Sequence, residues 1–94
     1  MKVKVSPRAR EDLRAAVTYL MGRHPIAAVD LKERLLTTID ELAAGTFQGA
    51  EVQLHSGRWV RSWPVTPYRI YYQRTTDQLR VIRVYHQARG PIAK

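Results

Sequence analysis

Tyr68-Arg69-Ile70-Tyr71-Tyr72-Gln73-Arg74-Thr75-Thr76-Asp77-Gln78-Leu79-Arg80-Val81-Ile82-Arg83-Val84-Tyr85-His86 is the stretch whose reading decides the fold. Tyr68 to Tyr72 alternates and is rich in aromatic and β-branched side chains. Thr75-Thr76-Asp77-Gln78 supplies turn chemistry, and Leu79 to Tyr85 alternates again. The reading is a β-hairpin over residues 68–74 and 79–86. A hairpin alone is only marginally stable in water, so other elements must cover one of its faces. Ile70, Tyr72, Ile82 and Val84 form the expected inward set, leaving Arg69, Tyr71, Arg83 and Tyr85 on the open face.

Upstream, residues 58–64 read as a further strand whose pairing Pro64 limits. Its two tryptophans favour Trp59, Arg61 and Trp63 as the inward set, with Arg61 among them or at the sheet rim. Thr46 to Gly57 reads as a loop, tethered to the core by Phe47, Val52 and Leu54. The cover comes from the first half. Lys2-Val3-Lys4-Val5 is an edge-like strand, and Ser6-Pro7 is an N-cap followed by proline at the first helical position. Ala9, Leu13, Ala16, Val17, Leu20 and Met21 then recur at helical spacing over residues 7–22. Ala28, Leu31, Leu35, Ile39 and Leu42 repeat the pattern over residues 26–44, with Gly45 closing it and Leu36 off the stripe. The short connection makes the two an antiparallel helical hairpin. The predicted architecture is α+β: an N-terminal strand and a helical hairpin on one face of a mainly antiparallel sheet of three to four strands, in one domain over residues 1–94. The tail beyond Gly90-Pro91 is too short for an element of its own.

Composition narrows the chemistry. There is no cysteine, so disulfides and thiolate catalysis are excluded, which fits a reducing cytoplasm. No run approaches the ~20 apolar residues of a membrane span. The net charge of +8 is uneven. Residues 1–57 carry eight Lys/Arg against seven Asp/Glu, whereas residues 58–94 carry eight, Lys94 included, against Asp77 alone. Twelve of the sixteen cations are arginine, whose planar fork suits phosphate or carboxylate. An arginine and tyrosine face on a sheet suits a nucleic acid or an acidic protein segment, or simply covers a solvated surface with its stems. His24, His55 and His86 lack metal-site spacing, so neither a metal nor a cofactor is expected. His86 reads as a structural or contact residue ahead of a general base. Glu11-Asp12 and Asp40-Glu41 read as solvating helix residues.

Several features together resemble the RelE/ParE superfamily of type II toxin–antitoxin toxins. They are Ser6-Pro7 with Ala9 and Asp12-Leu13, Tyr19-Leu20, Ile39…Leu42-Ala43, Val60-Arg61, Pro67-Tyr68-Arg69-Ile70-Tyr71-Tyr72, and Val81-Ile82-Arg83-Val84-Tyr85-His86-Gln87-Ala88-Arg89. The resemblance implies one of two activities. RelE-like members are ribosome-dependent mRNA endonucleases, and ParE-like members poison DNA gyrase without cleaving anything. The nuclease branch carries two lysines or comparable groups on the strand that starts here at Trp59, but those positions hold Val60 and Ser62. Its arginine after the last strand falls on Gln87, two residues before Arg89, and its C-terminal tyrosine on Ala93. Arg69 alone matches, and a permanently protonated arginine is a poor proton-transfer group. The ending His86-x-Ala88-Arg89 is similar to ParE-like members.

The resemblance therefore implies a ParE-like cytoplasmic toxin that binds DNA gyrase and is neutralised by a cognate antitoxin in a hetero-oligomer. No catalytic residue is assigned. Arg61, Arg69, Tyr71, Arg83, Tyr85, His86 and Arg89 are the target-binding candidates, and Leu36, Arg69, Tyr71 and Arg83 the antitoxin-binding ones. The alternative is an mRNA endoribonuclease acting on the ribosome through Arg69, His86 and Arg89. A second alternative is a non-toxic binding module of the same fold.

Overall fold

The computed structural model describes residues 1–89. The readings placed on the Gly90-Pro91 tail, Ala93 and Lys94 lie outside the described residues. The order of elements is β1 (Lys2–Val5), α1 (Pro7–Met21), α2 (Pro25–Ala44), β2 (Ala50–Gln53), β3 (Trp59–Val65), β4 (Tyr68–Arg74) and β5 (Gln78–His86), followed by a 3-10 turn at Gln87–Arg89. The strands form one five-stranded sheet in the order β1-β5-β4-β3-β2, antiparallel except for the β1–β5 pair. The α+β architecture with two helices on one face is the expected one. The strand count is not, because Ala50-Glu51-Val52-Gln53, read as loop, pairs antiparallel with Trp59 to Ser62.

Each helix starts and stops for a local reason. Ser6 Oγ accepts from the Ala9 amide at 3.0 Å, the N-cap bond that satisfies a first-turn donor. The same hydroxyl donates to the Ile82 carbonyl at 2.8 Å, tying the start of α1 to β5. Gly45 ends α2 at φ 78°, a left-handed conformation that glycine adopts without strain. Arg74 donates to the Leu42 carbonyl at 3.0 Å, so a cation from β4 completes the electronegative end of α2.

The main core lies between helices and sheet. Ala9 and Ala16 of α1 and Leu31, Leu35, Ile39 and Leu42 of α2 meet Val65, Ile70, Tyr72, Leu79, Val81 and Val84. Phe47 stacks on Trp63 at 4.1 Å between centroids, pinning the loop after α2 to this side. Tyr72, 1% exposed, buries its hydroxyl where the Gly49 amide donates to it at 2.8 Å. A Cβ on Gly49 would overlap the Ser62 carbonyl oxygen, so glycine is required there by close backbone approach.

Candidate functional site

The site grows out of a break in alternation. Opposite Tyr71 and Tyr72 the β4–β5 register slips: Tyr71 pairs with Arg83 and Tyr72 with Val81, so β5 carries an extra residue. Such a bulge re-aims the side chains around it. Val81 and Val84 consequently both face the helices, and Ile82 turns to the other side. The inward set read from the sequence is therefore corrected at Ile82. Ile82 packs instead with Leu54, Val60 and Tyr71, flanked by Val52 and Tyr85, in a second small cluster on the outer face. That face is not bare, since Tyr71 is only 6% exposed.

Of the sequence candidates, the structure gathers Arg69, Tyr71 and Tyr85 on this outer face. Arg69 and Tyr85 are register partners across β4 and β5. Arg69 donates to Ser62 Oγ at 2.8 Å, which orients the guanidinium along β3. Arg83 and Arg89 lie 5.1 and 6.0 Å from the centroid of the Tyr85 ring. Burial pushes the Tyr71 hydroxyl above its ordinary value. Arg69 opposes the shift, and Tyr85 adds to it. Tyr68 is likewise raised by burial, with Arg89 opposing and Tyr19 adding.

Three candidates stand apart. Arg61 shares the helix side of the sheet with Trp63, at the rim, where it donates to the Gly49 carbonyl at 2.8 Å and pairs with Glu51 at 3.7 Å. Leu36 is exposed on α2. His86 points to the helix side, edge-on to Tyr68 at 4.9 Å, and its Nδ1 accepts from the Ala88 amide. There it borders a cleft of about 420 Å³ with Asp12, Ala15, Tyr19, Tyr68 and Arg89. Arg69 and His86 thus lie on opposite faces of the sheet, the geometry that alternation imposes on β4–β5 partners.

Arg83 is engaged in a way that sequence reasoning missed. Asp12, half-buried rather than a solvating helix residue, accepts from Arg83 Nε at 2.7 Å and its terminal nitrogen at 3.1 Å. Its carboxylate also accepts from the Val84 amide at 3.0 Å. The hydrogen bond to Asp12 raises the guanidinium above its already high ordinary value, burial opposes, and the carboxylate's charge adds to the rise. The partners are 71 positions apart, and no local signal in the sequence joins them.

What this arrangement can do is bind. At the two β3 positions where nuclease members of the resembled superfamily would carry lysines, Val60 is 3% exposed within the outer cluster. Ser62 is 4% exposed and holds Arg69. Neither is a group that titrates near neutrality. Among the described residues, no three His, Asp or Glu side chains converge as a metal site would require, and no helix is long and apolar enough to cross a membrane.

Comparison with known proteins agrees with this reading of the fold. A solved structure described as the chromosomal ParDE TA system from P. aeruginosa superposes with a TM-score of 0.72 at 16% identity. The likeness covers 92% of this chain and 95% of that one and concerns the fold alone. Among curated proteins none matches. The family model for the ParE toxin of the type II toxin–antitoxin system parDE matches residues 3–91. The chain belongs to the ParE toxin family of type II toxin–antitoxin systems.

Proposed function

We propose that this toxin arrests growth by binding DNA gyrase rather than by cleaving RNA, and that a cognate antitoxin in the cytoplasm holds it inactive. The observation that carries the reading is the pair Val60 and Ser62. Where cleavage would need a group to deprotonate a 2′-hydroxyl and another to protonate the leaving oxygen, β3 offers a buried apolar side chain and a hydroxyl committed to Arg69. The opposite-face placement of Arg69 and His86 argues in the same direction, because the two do not share a substrate path.

Arg69 and Tyr85 on the outer face, with Arg89 in the turn after β5 between that face and the helix-side cleft, are the proposed target contacts. An arginine held by a partner side chain and a ring flanked by cations lose little rotamer freedom on binding. For the antitoxin, Leu36 at 48% exposed and the neighbouring Val29 at 50% offer apolar contacts on α2. The structural neighbour described as a ParDE system supports a partner of that kind. A supercoiling assay with purified gyrase, run beside translation-coupled mRNA cleavage, tests the proposal. Inhibited supercoiling with intact mRNA is expected. Cleaved mRNA with unaffected supercoiling overturns it, and no effect in either assay points to a binding module of the same fold.

A further inference from the structure

The outer face has a second charged region that the target contacts leave unused. In the β1–β5 register Val3 lies beside Leu79 and Val5 beside Val81, all on the helix side of the sheet. Lys2 and Lys4 therefore project to the outer face, with Lys4 beside Arg80. Arg80 in turn pairs with Gln73 across the hairpin. Arg58 donates to the Gln73 side chain at 3.1 Å, while the Gln73 amide donates to the Trp59 carbonyl at 3.1 Å. Lys4, Arg80 and Gln73 thus make one row across β1, β5 and β4 at the turn end of the sheet, Arg58 just before β3 joins it through Gln73, and Lys2 extends it.

Lys2, Lys4, Arg58 and Arg80 are all exposed. None of them has a carboxylate within salt-bridge distance among the described residues, whereas Arg34, Arg61 and Arg83 each have one. Asp77, three residues before Arg80, has its side chain bonded by Thr75 within the turn. Successive cations of the row stand within about a Debye length (~10 Å at 0.1 M salt) and repel, a cost that an opposing polyanion removes. Three strand spacings of about 4.8 Å give the row a span of roughly 14 Å. Duplex DNA presents about one charge per 1.7 Å of axis, or roughly eight over that span.

Gln73 and Gln78 are the side chains between the cations. The outer-face apolar residues beside them, Val60 and Ile82, are only 3% and 8% exposed, and exposed Trp59 alternates to the helix side with Arg61. An acidic peptide of a protein partner would need apolar anchors among its charge contacts, and here there are none. A phosphate backbone needs only solvated lysines and arginines in register. We infer that Lys2, Lys4, Arg58 and Arg80 form a non-sequence-specific site for the phosphate backbone of duplex DNA. The inference does not depend on which target the toxin inhibits.

The test is fluorescence anisotropy of the full chain with a labelled 20-base-pair duplex of mixed sequence between 50 and 200 mM salt. Four phosphate contacts predict a log–log slope of about −3.6, or a loss of affinity of about 150-fold over that range. The triple variant Lys2→Gln, Lys4→Gln, Arg80→Gln should flatten the slope to about −0.9, leaving a loss of about 3.5-fold. A charge-matched variant, Arg8→Gln, Arg10→Gln, Arg14→Gln on exposed positions of α1, should keep the original slope. Equal flattening in both variants would show attraction by net charge alone and overturns the site. So does an unchanged slope in the first variant, or the absence of salt-dependent binding. Tighter binding of a 20-residue polyglutamate peptide than of the duplex, lost in the first variant, assigns the row to an acidic protein and also overturns the inference. All six substitutions lie on exposed side chains, and an unchanged circular dichroism melt confirms that each variant is folded.

Discussion

Replacing Asp12 by alanine takes one acceptor away from three donors. The Arg83 guanidinium loses both of its bonds and the Val84 amide loses its only side-chain partner. Asp12 and Arg83 are 13% and 19% exposed, so the pair is largely but not wholly shielded. Breaking a fully buried pair costs about 3–5 kcal/mol. Residual hydration of Arg83 reduces that share to about 2 kcal/mol, and the abandoned amide adds about 1 kcal/mol. A total of about 3 kcal/mol corresponds to a fall in Tm of roughly 12–24 °C for a domain of this size. Arg83→Met should cost about half as much, because Asp12 then still accepts from the Val84 amide and the freed carboxylate can hydrate. Asp12→Asn, which keeps one acceptor, should fall between wild type and alanine. Thermal melts followed by far-ultraviolet circular dichroism at 0.05 and 0.5 M salt measure all three. A fall of less than about 4 °C for Asp12→Ala, or a larger fall for Arg83→Met, would refute the assignment of Asp12 as the shared acceptor. Strong salt dependence of the difference would show an exposed ion pair instead.

Gly49→Ala drives a methyl group into the Ser62 carbonyl and should destabilise by about 3 kcal/mol in urea denaturation, the upper end for overpacking. Tyr72→Phe keeps the ring but leaves the buried Gly49 amide without its acceptor, so it should cost about 1–3 kcal/mol with an unchanged m-value. Tyr68 and Tyr71 are both raised above the ordinary tyrosine value by burial, so the native chain keeps protons that the unfolded chain releases. Their contribution is intact below about pH 10 and declines as pH rises past it. Urea midpoints should therefore drop between pH 9 and 11, and the Tyr68→Phe, Tyr71→Phe variant should drop less; parallel curves would contradict the burial argument. Arg69→Ala with Arg89→Ala should relieve growth arrest on expression while the melt stays cooperative. Persisting arrest by the folded double variant would move the toxic surface away from the end of β5.

Much of the fold can be read from residue patterning because its elements are amphipathic and well capped. The stripe Ala28, Leu31, Leu35, Ile39, Leu42 is buried throughout, and Ser6 and Gly45 cap as their residue types require. What escaped reading has physical causes. Ala50-Glu51-Val52-Gln53 is a short edge strand with one β-branched residue, so tertiary pairing with β3 makes it a strand where propensity does not. The bulge beside Tyr71 and Tyr72 adds a residue to β5 that leaves no mark in alternation, and it alone moved Ile82 across the sheet. Of the site, Arg69, Tyr71 and Tyr85 were legible as one face by period-two counting. The Asp12–Arg83 pair was not, since it is made by docking α1 across the end of β5. The row of Lys2, Lys4, Arg58 and Arg80 needs the register of β1, which no pattern within the strand specifies.

The parallel pairing of β1 with β5 has a consequence for how the molecule is made. Among the described residues β1 has its sheet partner in β5 alone, and both Ser6 and Asp12 bond to β5 as well. During synthesis the N-terminal strand and helix emerge early and must wait for Gln78 to His86 before they can dock. Until then α2 can meet only β3 and β4 of the sheet, through Val65, Ile70, Tyr72 and the Arg74 bond to the Leu42 carbonyl. Closure of the sheet and completion of the arginine and tyrosine surface therefore coincide, when β5 takes its place between β1 and β4. A chain lacking residues 78–86 has neither the complete core nor the arginine and tyrosine face, so that surface forms only once β5 is available to pair.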